Sequence, residues 1–248
     1  MSKRVVYKPQ GAALEYSDLA LNLYKGCSHA CTYCYAPIAT CVKRENFTNA
    51  VEPKGAIIER LRRDLRLIEK NNEFTKSPVL MSFTCDPYQP LEEDLQLTRT
   101  AIQLLNLYEY PVKILTKGGD LAQRDFDLLS QFQGNEFGVT LTLLDPKIQQ
   151  VWEPNAASPK QRIENLKEAK KRNIKTWLSL EPIIDLEQAL DVIDETYEFT
   201  DFYGVGKLNY NKHQKTIDWK DVNEKVTNKL TQLKKDFKNH KSLDAAAK

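Results

Sequence analysis

The chain has 248 residues, 41% of them apolar, which suits one large domain or two small ones with a sizeable core. No apolar run approaches the length of a membrane span, and the opening MSKRVV lacks the apolar stretch of a signal peptide, so a soluble, cytoplasmic protein is expected. The net charge of +2 is unevenly divided: residues 207–248 hold eleven lysines against five acids, whereas residues 1–206 hold 25 basic and 29 acidic side chains, which places any contact with nucleic-acid phosphates in the tail.

Residues 1–17 contain Pro9 and Gly11 and no sustained periodicity, which predicts a loosely structured arm. Leu19, Leu21 and Leu23 then alternate with smaller or polar residues as in a short strand, and a cysteine-rich loop follows at its C-terminal end. From Pro53 to Lys70, Ile57, Ile58, Leu61, Leu65 and Ile68 recur at helical spacing, with Glu52 and Pro53 suited to a first turn. Val79 to Phe83 reads as a second strand, followed by the turn-rich TCDPYQP and a helix from about Glu93 to Tyr108. Val112 to Thr116 makes a third strand; Gly118 and Gly119 turn the chain, and Asp120 is placed to cap a third helix. Phe137 to Leu143 reads as strand four, and Ser158-Pro159-Lys160-Gln161 is a capping box that opens a helix running to about Arg172. Lys175 to Leu180 and Phe202 to Val205 supply strands five and six, with a helix from Leu186 to Tyr197 between them.

Six strands alternating with helices predict an α/β fold, an open (β/α)6 partial TIM barrel over residues 18–210. Residues 211–248 form a basic C-terminal extension in which Trp219, Val222, Val226, Leu230 and Leu233 mark a helix outside the barrel, and the closing LDAAAK frays.

The stretch GCSHACTYCYAP places Cys27, Cys31 and Cys34 within eight residues, out of five cysteines in the chain. Three thiolates from one loop suit three corners of a 4Fe-4S cluster, whereas electron-transfer clusters take four cysteines and leave no iron open. An open iron can chelate a small molecule, and S-adenosylmethionine offers an amine and a carboxylate for that purpose. One-electron cleavage then yields a 5'-deoxyadenosyl radical, the cofactor carrying the hard chemistry while the protein binds, orients and excludes water. The competing reading is zinc, with Cys31 and Cys34 as a C-x2-C pair completed by His29 or Cys41, but no second pair follows at finger-like distance. An odd number of cysteines in a reducing compartment argues against disulfides.

In barrels of this kind the chemistry sits at the C-terminal ends of the strands. Reading off those ends gives a candidate cofactor-binding set of Tyr33, Thr84, Asp86, Lys117, Thr140, Thr142, Glu181 and Lys207 beside the metal ligands Cys27, Cys31 and Cys34. Asp86 suits an ammonium, Lys117 a carboxylate, and a threonine hydroxyl a ribose or carboxylate.

The spacing C-x3-C-x2-C, with Tyr33 directly before the last cysteine, resembles the signature of radical SAM enzymes. Within that superfamily the chain resembles spore photoproduct lyase and its relatives over most of its length. KGCSHACTYCYAP is similar to the lyase's G-C-x3-C-x-Y-C-Y, FTCDPYQPLE to the relatives' T-D-P-Y-Q-P-x-E, and LTK at 115–117 to V-T-K. WEPNAASPKQRIENLKEAKK is similar to F-E-P-x3-S-P-x3-R-I-E-A, and YGVGKLNY at 203–210 to Y-G-I-G-K-Y-x-Y. The resemblance implies the cluster, the cofactor, the barrel, an electron donor such as flavodoxin or ferredoxin, and a DNA or nucleotide substrate. It also puts Tyr35 where the lyases have a tyrosine used in radical transfer. One departure stands out: the lyases carry C-T-S-D after strand two, whose cysteine returns hydrogen to the substrate radical, whereas this chain has Phe83-Thr84-Cys85-Asp86. Phenylalanine cannot donate hydrogen, so thymine-dimer repair is not expected. Cys85 is the nearest catalytic candidate, two residues and about 6 to 7 Å along the strand; the bland reading of Cys85 and Cys41 is a small buried hydrophobe.

Overall fold

The computed structural model describes residues 4–247; Met1, Ser2, Lys3 and Lys248, the outer ends of the expected arm and tail, lie outside them. Seven strands form one parallel sheet: β1 Leu19–Ala20, β2 Val79–Met81, β3 Val112–Thr116, β4 Glu136–Thr140, β5 Lys175–Ile183, β6 Phe202–Lys207 and β7 Asp236–Asn239. Their spatial order is their chain order, so each helical crossover advances by one strand and the sheet curls into a half barrel. A separate antiparallel pair, Tyr24–Lys25 with Glu52–Pro53, brackets the cysteine loop.

Strands covered on both faces must be apolar throughout, and Val79, Leu80 and Met81 are all fully buried. The helices show the stripe expected of an outer layer: Ile57, Leu61, Leu65 and Ile68 of Ile57–Asn71 face the sheet. The capping box is present, with the Ser158 and Gln161 side chains and backbones bonded reciprocally and Pro159 at the first helical position. No helix among the described residues is long and apolar enough to cross a membrane.

Several expectations are corrected. Pro53 and Glu52 are not a first helical turn but the strand partner of Tyr24–Lys25, and the helix starts at Ile57. The helix expected from Glu93 to Tyr108 is two, Glu92–Leu95 and Leu97–Leu107, broken at Gln96 with φ 48°. Asp120 makes no side-chain cap and opens a 3-10 turn that leads into a short helix at Phe126. The helix Pro146–Trp152, capped by Asp145, had no counterpart in the sequence reading. Beyond the expected helix, Trp219–Gln232, the chain returns to add β7 beside β6, and the segment expected to fray forms a helix, Lys241–Ala246, with Leu243 fully buried.

The N-terminal arm is also part of the fold. Val5 and Val6 are buried, Tyr7 exchanges backbone hydrogen bonds with Ala20 on the free edge of β1, and Lys238 of β7 donates to the Glu15 carbonyl at 2.9 Å. The arm thus spans the open side of the half barrel, from its first strand to its last.

Candidate active site

The strands deliver their C-terminal ends to one cavity of about 490 Å³. It is lined by Cys27, Cys31, Cys34, Tyr33, Tyr35, Thr84, Cys85, Asp86, Lys117, Thr140, Glu181 and Lys207, so twelve of the thirteen residues singled out in the sequence meet there. Thr142 is the exception: it is fully buried two residues past the end of β4 and is not among the described residues that line the cavity.

The cysteine loop begins at Gly26, whose φ of 79° and 2.4 Å approach to the Phe47 carbonyl, measured from where a Cβ would stand, exclude any other residue. The loop is braced from outside. Cys27 N–H donates to Phe47 O at 3.0 Å, Arg44 donates to the carbonyls of Cys31 and Cys34 at 2.8 Å each, Thr32 N–H bonds Trp152 O, and Asn155 bonds the carbonyls of Ser28 and His29. With its backbone held by remote segments, the loop presents its three thiols to the cavity, while Cys41 is exposed and outside it. Burial raises the Cys27 thiol and pushes Cys31 up to about 11, a cost that a coordinating metal reverses by deprotonating its thiol ligands outright. Among the described residues no set of three or more His, Cys, Asp or Glu side chains is gathered as a single-metal site. The donor set, three soft ligands from one loop, fits a cluster whose irons each take one cysteine.

Lys117, directly after β3, has its ammonium 5.8 Å from the Tyr33 ring centre, with no hydrogen bond or ion pair to a side chain among the described residues. Burial works against its charge, but Cys31, Glu153 and Asp86 outweigh this and raise it. Asp86 is differently placed from the sequence expectation. Its carboxylate accepts from Tyr88 N–H (2.8 Å), the Thr116 hydroxyl (2.6 Å) and Lys117 N–H (2.8 Å), and stands 3.4 Å from His29 Nδ1. Burial opposes its charge, yet His29 and these hydrogen bonds hold it well below the usual carboxylate range. Asp86 therefore ties the β2 and β3 loops together.

Behind Tyr33 lies a network that the sequence reading did not single out. The Tyr33 hydroxyl bonds Glu153, which pairs at 2.6 Å with Arg162; both are almost completely buried, and Arg162 also donates to the carbonyls of Ala157 and Thr140. Its signal was present in WEPNAASPKQRIE, quoted only as a resemblance.

Tyr35 donates to Phe83 O at 2.9 Å, and Cys85 Sγ lies 3.2 Å from the Ser82 hydroxyl. Lys207 lines the cavity, but its ammonium is held by Gln214 at 3.1 Å over the Trp219 ring. At the far wall His240, just past β7, stands 3.4 Å from both Glu181 and Glu15 and stacks on Tyr16. Burial, and then the Glu15 carboxylate, push Glu181 up to about 8, while burial pulls His240 below its ordinary value. Both shifts favour the uncharged forms, a protonated acid beside a neutral imidazole. Gly206 makes room for Glu181, whose carboxyl carbon would lie 2.4 Å from any Cβ there.

A family model described as the radical SAM superfamily matches residues 21–200. An uncharacterized protein of Methanocaldococcus jannaschii is 31% identical over 226 residues, covering 84% of this chain and 79% of its own. Another, of Mycobacterium bovis, is 30% identical over 162 residues, 62% of this chain and 46% of its own. Among solved structures, a spore photoproduct lyase variant with bound AdoMet and dinucleoside spore photoproduct has a TM-score of 0.72 at 12% identity, over 95% of this chain and 78% of that one. Streptococcus suis SuiB bound to S-adenosylmethionine has a TM-score of 0.67 at 18% identity, over 92% of this chain and 52% of that chain, so the present chain spans about half of SuiB.

Proposed function

The chain belongs to the radical SAM superfamily of enzymes, and on that premise we propose that it reductively cleaves S-adenosylmethionine at a three-cysteine 4Fe-4S cluster and abstracts hydrogen from a nucleobase, nucleotide or nucleic acid. One observation carries this reading: the three cysteines line the same cavity as Lys117, whose ammonium has no hydrogen-bond or ion-pair partner among the described residues.

Cys27, Cys31 and Cys34 would hold the cluster, which together with S-adenosylmethionine supplies the one-electron cleavage and the hydrogen-abstracting radical. Lys117 offers the cofactor's carboxylate a cation already desolvated and aimed, which strengthens such a bond. Tyr33 and Thr140 form the neighbouring wall, stiffened by the Glu153–Arg162 pair. Asp86 and His29 position Lys117 by fixing its backbone. Tyr16, Phe83, Tyr35 and Tyr210 add aromatic surface on which a planar ring can stack, with Glu181 and His240 on the lining beside them. A protein electron donor of the flavodoxin or ferredoxin class supplies the electron. Cys85 and Tyr35 line the cavity beside Phe83, and Cys85 is assigned to cofactor packing rather than hydrogen return.

The test is reconstitution under anaerobic conditions. The parent is expected to hold about four irons per chain and to release 5'-deoxyadenosine on reduction; Cys27→Ala, Cys31→Ala and Cys34→Ala lose both properties, and Cys41→Ala neither. Deuterium is expected to pass from a labelled nucleoside or oligonucleotide into 5'-deoxyadenosine. Intact S-adenosylmethionine after full reduction would sink the reading, and transfer from a peptide alone would reassign the substrate.

A further inference from the structure

A second pocket, also of about 490 Å³, adjoins the first. Of the described residues lining it, Arg4, Lys8, Lys54 and Arg60 are cationic and none is acidic. Arg4 is paired with Glu73 at 3.1 Å and Asp64 at 3.6 Å, and the Lys8 ammonium lies 5.7 Å from the Phe74 ring centre. The Lys54 and Arg60 side chains make no hydrogen bond or ion pair among the described residues. Burial, then Arg60 and Lys25, pull Lys54 below the usual lysine range against the opposing influence of Cys85. Like charges crowded around a concavity repel one another, and an anion removes that cost.

This charge is not a general property of the surface. Residues 1–206 are net acidic, 25 basic against 29 acidic side chains. Four of the eleven tail lysines are engaged elsewhere: Lys225 with Asp221, Lys229 with Asp194, Lys235 with Thr200 O, and Lys238 with Glu15 O. The helix Ile57–Asn71, which has no side-chain cap, starts at the pocket wall and adds its positive end.

The wall between the two cavities is one residue thick. Gln10 lines both. Asn22 lines the basic pocket, and its Oδ1 accepts from the amides of Phe83 (2.9 Å) and Thr84 (2.8 Å), which line the catalytic cavity. Resting on the functional reading above, we propose that the Lys54–Arg60 pocket binds a phosphate of the substrate whose base occupies the catalytic cavity. The phosphate is that of a free nucleotide or of a nucleic-acid backbone, and Gln10 lies where the substrate passes from one cavity to the other.

The experiment measures binding of 5'-labelled single-stranded hexathymidylate to the full, anaerobically reconstituted chain by fluorescence anisotropy, in competition with thymidine, thymidine monophosphate and inorganic phosphate. Lys54→Glu and Arg60→Glu are each expected to weaken binding about tenfold or more at low salt and to flatten its salt dependence, Lys54→Gln to fall between, and Lys225→Glu in the tail to bind as the parent does. Neither side chain makes a hydrogen bond or ion pair among the described residues, so both glutamate variants should fold and cleave S-adenosylmethionine like the parent. Displacement of the label by thymidine monophosphate at low concentration assigns a free nucleotide; resistance to it assigns the backbone. Parent-like binding by both variants, displacement of the label by thymidine as effective as displacement by its monophosphate, or a parent that binds no phosphate probe would each overturn the proposal. Phosphate binding without cofactor cleavage would refute the radical-enzyme reading and leave the pocket standing, and cleavage without phosphate binding the reverse.

Discussion

Asp86 and Lys117 were singled out together as a charged pair of cofactor ligands, yet in the folded chain they stand in opposite conditions. Asp86 has its acceptors filled by two amides, a hydroxyl and His29, whereas Lys117 has an ammonium without a side-chain partner among the described residues. Asp86→Asn leaves one acceptor oxygen where there were two, so it should destabilise the fold by about 2–4 kcal/mol in urea unfolding. Lys117→Met removes a charge whose burial is more than offset by Cys31, Glu153 and Asp86, so stability should hold or fall slightly, while affinity for S-adenosylmethionine falls about tenfold or more, measured by equilibrium binding to the iron-loaded protein. Equal affinity in Lys117→Met and parent would place the carboxylate elsewhere. Glu181 gives a pH signature. Its folded value of about 8 lies above the ordinary 4.5, so between these the folded chain keeps a proton that the unfolded chain has lost, and stability falls as pH rises through that window. His240, lowered on folding, has the opposite sign and costs stability only as pH falls below its ordinary 6.5. Glu181→Gln should therefore gain on the parent between about pH 6.5 and about pH 8.5, read from urea midpoints; parallel profiles would show that Glu181 is solvated.

At the scale of elements, the helix Pro159–Lys171 illustrates how local and remote determinants divide. Its start was legible because a capping box is four consecutive residues whose bonds close on themselves. Its function was not, because Arg162 reaches across to Glu153 and Thr140 O, partners that adjoin it only once β4 and the helix Pro146–Trp152 are packed. Arg162→Met strands the Glu153 carboxylate in the interior and should cost about 3–5 kcal/mol; adding Glu153→Gln should recover part of that. The measurement is chemical unfolding of both variants alongside their cofactor affinity, and a double variant no better than the single would show that the pair is not the source of the loss. The same division accounts for the corrections in the fold. Glu52 and Pro53 satisfy every local rule for a helix start, but pairing with Tyr24–Lys25 prevails because it anchors the far side of the cysteine loop. β7 was missed because its DFKN alternates half-buried with exposed side chains and looks polar, its pairing with β6 supplying what its composition does not.

For the whole molecule, the sequence by itself determined the alternation of strands and helices, the half-barrel topology, the family and the identity of the three thiols. Each is written in short-range pattern: apolar periods of two and of three to four residues, and a cysteine spacing within one loop. Because a parallel barrel brings all strand ends to one face, it also determined that twelve of thirteen chosen residues would meet in one cavity. Only the tertiary structure decided what each of those residues is free to do. Whether a charged group is open to a ligand depends on neighbours from other strands, which fill Asp86 and, among the described residues, leave the Lys117 ammonium without a hydrogen-bond or ion-pair partner. Glu15 and His240, 225 positions apart, become partners only because the arm crosses the open side of the barrel and meets β7, and after burial it is the Glu15 carboxylate that raises Glu181. Lysine count placed the positive charge in the tail; folding paired Lys225 and Lys229 there with acids and left Lys54 and Arg60 without an ion-pair partner among the described residues, in the pocket that adjoins the first cavity. Charge is additive along a chain, but its availability depends on three-dimensional pairing and burial, and no short-range pattern encodes that.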